Sequence, residues 1–150
     1  LIGSIFSFNV MGQVIADSNL TRIITDNIIR TYKKPITQKV VLFSVYLYVN
    51  PLGKIDSVGY SQMRGGIKLQ EILNTKILFH DLKDSKLLIN RKNSLVIIPF
   101  MIWSFDNISA TYINELLGDF SGLFPPPELL HGRKLVLNKP QSITIAIDVD

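Results

Sequence analysis

Two histidines, His80 and His131, are the only imidazoles in a chain of 150 residues that has no cysteine and three glutamates. Without a thiol there is no disulfide, no cysteine nucleophile and no thiolate metal site. No His-Glu-x-x-His pattern occurs, so the residue types argue against a closed zinc site. His80 stands next to Asp81, a possible ligand pair that reads as the polar end of a helix. Asp81 and Asp84 are spaced to share a helix face. General acid–base work needs a carboxylate pair whose environments differ, in a cleft, and this pair reads as solvated surface. Neither a Gly-x-Ser-x-Gly elbow nor a Ser-x-x-Lys pair is present. Gly65-Gly66-Ile67-Lys68 would open a helix whose amides hold an anion. It lacks the Gly-Lys-Ser/Thr ending of a phosphate loop and reads as a strand-to-helix turn. Tyr46, Tyr48 and Tyr60 are expected on one sheet face, where they could stack on bases or sugars. No Lys or Arg interleaves with them, so packing is the expected use. No cofactor is expected.

The charge pattern agrees with this absence of obvious chemistry. Sixteen basic residues against 12 acidic give a net charge of +4. The adjacent pairs Lys33-Lys34, Arg91-Lys92 and Arg133-Lys134 are far apart in sequence, which reads as solubilising charge, not a nucleic-acid surface. At 47% hydrophobic and 19% charged, the chain has the material for a core. Twenty-one isoleucines against three alanines favour sheet. No apolar run reaches the ~20 residues of a membrane-spanning helix. Residues 1–16 carry no charge. Residues 1–12 have the length of a signal-peptide apolar region and are expected to be a processing remnant, with a first buried strand over 2–10 as the alternative.

The elements that must position any site follow from periodicity. Leu20, Ile23, Ile24 and Ile28 mark one face of a first helix, capped by Asp17 or Ser18. Residues 39–49 alternate as a strand, with Val41, Phe43, Val45, Leu47 and Val49 on the buried face. Asn50-Pro51-Leu52-Gly53-Lys54 is a tight turn, and residues 55–61 return as a second strand. Leu69, Ile72, Leu73 and Ile77 predict a second helix after Gly65-Gly66. Residues 95–105 form a long apolar strand in which Pro99 demands an edge position or a bulge. Asn107 or Ser109 caps a third, short helix ending near Gly118. Residues 134–137 and 142–149 are expected to form a final hairpin around Asn138-Lys139-Pro140-Gln141. The order predicts an α+β fold, an antiparallel sheet with helices packed on one face, extended by a C-terminal helix and β-hairpin. One domain spans 13–150, with a core over about 18–105 and an extension over 106–150.

Three segments carry a resemblance. The hairpin Phe43-Ser44-Val45-Tyr46-Leu47-Tyr48-Val49-Asn50-Pro51-Leu52-Gly53-Lys54-Ile55-Asp56-Ser57-Val58, the closing strand Val96-Ile97-Ile98-Pro99-Phe100-Met101-Ile102 and the segment Tyr32-Lys33-Lys34-Pro35 resemble the C-terminal domain of the TonB family. The two lysines interrupt that family's Tyr-Pro step. Ser61-Gln62-Met63-Arg64-Gly65-Gly66 stands where the family has a Ser-Ser-Gly turn, and residues 106–150 have no counterpart in a minimal domain. The chain shows neither the membrane anchor nor the long Pro-rich spacer of the family's transducers, so it resembles a stand-alone relative. The resemblance implies a non-catalytic periplasmic or secreted module that binds a protein partner, of the envelope or outer membrane, by strand addition. The binding edge would be the closing strand, with Leu95, Ile97, Met101 and Trp103 as partner-contacting residues.

The alternative is a small ligand-binding or enzymatic domain. Its cleft would lie between the sheet and the residues after 106, with His131, Asp106 and Trp103 as polar groups. An unpaired strand edge is an aggregation hazard. The C-terminal hairpin is therefore expected to pack on or beside residues 95–105 and to occupy part of the family's binding edge.

Overall fold

The computed structural model describes residues 18–32, 40–61, 68–104 and 122–145. Strict alternation builds the first strand, β1 (Val40–Val49). Its odd-numbered residues Val41, Phe43, Val45, Leu47 and Val49 are all buried in one cluster with the helices. The turn that follows depends on two residues. The Asn50 side chain accepts hydrogen bonds from the amides of Leu52 and Lys54. Gly53 has φ +81°, and a Cβ there would lie 2.7 Å from the carbonyl oxygen of Ile89. The chain returns as β2 (Ile55–Tyr60), antiparallel to β1. A bulge at Asp56 shifts the register, so that Val49 pairs with Ile55 but Tyr48 with Ser57.

The helical layer is α1 (Ser18–Thr31) and α2 (Thr75–Leu82). Leu20, Ile24 and Ile28 recur on the buried face of α1, as their spacing predicts. The second helix ends at Leu82, within the expected stretch between His80 and Ser85, but it is not the single element expected from about Leu69 onward. A 3-10 turn, Leu69–Glu71, precedes α2. Asn74 separates the two, because its side chain accepts from the Ile77 amide and starts a new helix. The buried face of α2 is therefore Leu78 and Leu82, while Ile77 is exposed. The helices are clamped by Asn27, itself buried, whose side chain accepts from the Asn74 amide at 3.0 Å and donates to the Asn74 carbonyl at 3.2 Å.

The long apolar strand is β3 (Ser94–Ser104), antiparallel to β1 along its whole length. Phe43 of β1 stacks on Phe100 of β3 with ring centroids 5.7 Å apart. After a second 3-10 turn, Pro127–Leu130, come β4 (Lys134–Leu137) and β5 (Gln141–Ile145). These do not form the expected hairpin. Both pair in parallel with β3, β4 along residues 94–97 and β5 along residues 100–104. They are two halves of one interrupted strand. The chain does not reverse at 138–140, because the Asn138 amide donates to the Ile97 carbonyl and continues the ladder. The connection from β3 to β4 is long enough to return to the start of β3, which parallel pairing requires.

The fold is thus α+β with a mixed sheet, order β2-β1-β3 and then β4 with β5, not an antiparallel one. Pro99 sits in a central strand, and the bulge it demands is on the neighbour. Two residues of β3, 98 and 99, oppose three, 138–140. Ile97 presents its backbone to β4, so Pro99, two residues on, presents its missing N–H to the same side. The expected third helix near 107–117, the Asp17 cap, residues 1–12, the Gly65-Gly66 turn and the Lys33-Lys34-Pro35 step lie outside the described residues.

Candidate interaction edge

The face of the sheet away from the helices is also apolar. β1 contributes Leu42, Tyr46 and Tyr48 and β3 contributes Leu95, Ile97 and Met101, by the same alternation that sends their neighbours into the core. Tyr46, Leu95 and Ile97 form a second buried cluster, packed by Tyr48 and Leu130. The segment around residues 122–130 lies over it. The Tyr46 hydroxyl donates to the carbonyl of buried Leu123 at 3.0 Å. Burial, and next the neighbouring Tyr48, push the Tyr46 hydroxyl up to about 12. Tyr60 does not join the other two tyrosines. Its partner in the register is Val45, so it packs on the helix-side core.

Arg133, just before β4, reaches back across this face. Its guanidinium lies 5.6 Å from the centre of the Tyr48 ring, and Nη2 is 3.9 Å from a carboxylate oxygen of Asp56 on β2. Asp56 also accepts from the Asn50 side chain at 2.9 Å. One side chain thus ties the start of β4 to the opposite edge of the sheet. The pair with half-exposed Asp56 is worth at most about 1 kcal/mol, and the stacking on Tyr48 adds a comparable amount, about 0.5–1 kcal/mol.

A partly open cavity of about 120 Å³ lies between this face and the segment above it. Its walls include Leu42, Pro99, Met101, Leu123 and Phe124, with Leu137, Pro140 and Gln141 lining it at the break between β4 and β5. Gln141 is the polar side chain among these. The cavity lies where a cleft between the sheet and the C-terminal extension is expected, but the expected polar groups do not line it. His131 is exposed at the end of the 3-10 turn with φ 45°. Asp106 lies outside the described residues. Trp103 is placed by its backbone alone, between Val40 and Thr144.

The residues expected to contact a partner are not gathered on an open edge. Leu95 and Ile97 are fully buried and Met101 is half-buried. Both edges of β3 are taken, one by β1 and the other by β4 and β5. The expected self-coverage of this strand is present, in a parallel form. The sheet ends instead at β2 and at β4 with β5 among the described residues. On β4, Leu135 is 42% and Leu137 37% exposed. Sequence reasoning missed both, because a hairpin would have placed them differently. It also missed Arg133 and Asn138, which carry no motif.

His80 and Asp81 are 3.6 Å apart, with the imidazole 76% exposed, so the pair is a surface contact. Among the described residues no group of three or more His, Asp or Glu is arranged to hold a metal ion. No helix among them is long and apolar enough to cross a membrane. No protein-family model, curated protein or solved structure matches this chain. The fold and the site therefore define it as an α+β domain with a mixed sheet, apolar on both faces.

Proposed function

We propose that this chain is a non-catalytic interaction module, periplasmic or secreted, that binds a protein partner by adding a partner strand to its sheet. The observation that carries the reading is the strand β4, which ends the sheet among the described residues with two large apolar side chains, Leu135 and Leu137, exposed on it. A monomeric domain ordinarily blunts such an edge. The resemblance to the TonB family supports the mode of binding. The partner cannot use the edge of β3 unless β4 and β5 are displaced. The charge-free residues 1–16 support export.

The test is capture of partners from periplasmic extract on the immobilised chain, followed by hydrogen exchange of the complex. Strand addition protects amides at alternate residues of one outer strand. Protection confined to loops or helices overturns the reading. A second reading has the cavity in its favour: a small apolar ligand held between the sheet and residues 122–124. A lining whose polar side chain is Gln141 suits binding rather than catalysis. Saturable binding of a benzene-sized probe, with shifts confined to Met101, Leu123 and Leu137, would favour it.

A further inference from the structure

Building on strand addition as the binding mode, we propose that the docking edge is the outer side of β4 with β5. Its occupant is an extended segment of another protein, apolar at alternate positions and acidic at its flanks. The backbone defines the edge. The amides of Lys134 and Asn138 donate inward, to the carbonyls of Asn93 and Ile97. By alternation Val136 faces inward too, and Leu135 and Leu137 present their N–H and C=O groups outward. Their side chains stand exposed beside a backbone that pairs with no further strand among the described residues. The opposite edge, β2, offers less. Its Ile55 is buried, and its two exposed side chains are Asp56 and Ser57.

Two further features select the occupant. The cavity of about 120 Å³ at Leu137 and Pro140 is of the size that holds a small apolar group, and it would receive one side chain of the incoming strand. Lys134 and Lys139 bracket the edge, both exposed, and neither is in an ion pair among the described residues. They favour carboxylates on the occupant. Lys139 also opposes a second copy of this chain, because an antiparallel self-pairing of this edge centred on Val136 sets Arg133 against Lys139.

The experiment uses the full chain, isotopically labelled, and two synthetic peptides with the same alternating apolar centre, one flanked by Asp and Glu and one by Lys. The acidic peptide should slow exchange at the amides of Leu135 and Leu137 and leave Val136 unchanged. The lysine-flanked peptide should bind about tenfold more weakly, the effect of two exposed charge pairs. The double variant Lys134→Glu, Lys139→Glu should reverse that preference. Leu137→Asp should abolish binding of both peptides. Protection along β2 instead would overturn the choice of edge but leave strand addition standing. Equal affinity for the two peptides would overturn the acidic occupant. Concentration-dependent protection of Leu135 and Leu137 without peptide would show a second copy as occupant and overturn the proposal. Protection at neither edge with either peptide would overturn strand addition itself.

Discussion

Tyr46 joins the outer face of the sheet to the segment that covers it. Its ring packs among Leu95 and Ile97, and its hydroxyl holds the Leu123 carbonyl. Because its folded pKa is raised to about 12 from an unfolded value near 10, its contribution to stability is complete below pH ~10. It is lost as the pH rises from there through about 12, because the unfolded state releases the proton first. Denaturant titrations should show a steeper alkaline loss of stability in the native chain than in Tyr46→Phe. At neutral pH that variant should lose about 1 kcal/mol, the net worth of one hydrogen bond. Phe43 was legible from alternation alone. Fully buried and stacked on Phe100, it should cost about 3–5 kcal/mol when replaced by Ala. A loss below about 1 kcal/mol in urea unfolding would contradict the register of β1.

Elements are joined here by a few polar residues whose roles only their neighbours reveal. Asn27 lies mid-helix and looks like an interruption of the apolar face of α1, yet it clamps both backbone groups of Asn74. Asn27→Ala leaves the Asn74 amide without that partner, and the expected loss is about 1–3 kcal/mol, read by thermal unfolding. Gly53 was recognisable as a turn glycine. That its place is also fixed by the backbone of Ile89 was not, since the contact spans distant residues. Gly53→Ala should cost about 2 kcal/mol or more, from positive φ and from that contact together. The β4 ladder predicts an alternating exchange pattern in the free chain, with slow amides at Val136 and Asn138 and fast ones at Leu135 and Leu137. A hairpin between 134–137 and 142–149 would instead protect amides on both of its arms through pairing with each other, and exchange measured by NMR distinguishes the two.

For the molecule as a whole, β4 and β5 close an edge that β3 would otherwise present. A chain ending at residue 121 should expose that edge together with Leu95 and Ile97, and light scattering should find it self-associating. If it stays monodisperse with an unchanged melting temperature, the edge strand contributes nothing to the fold.

Local patterns determined much of this protein. The alternation of residues 39–49 set which side chains of β1 enter the core. The spacing of Leu20, Ile24 and Ile28 set the face of α1, and the absence of cysteine removed thiol chemistry. Pro99 called for an edge position or a bulge, and the tertiary structure supplies the bulge on the neighbouring strand. These signals act within a few residues, where strand and helix periods are fixed by backbone geometry. Whether residues 134–145 reverse on themselves or run once along β3 is a choice between pairing partners about 40 residues apart, and periodicity is the same in both. The tertiary structure decided it, because the apolar β3 needs a neighbour on each edge and a long connection lets the chain return in the same direction. The candidate edge at Leu135 and Leu137 follows from that choice, and no reading of residue order alone could place it there.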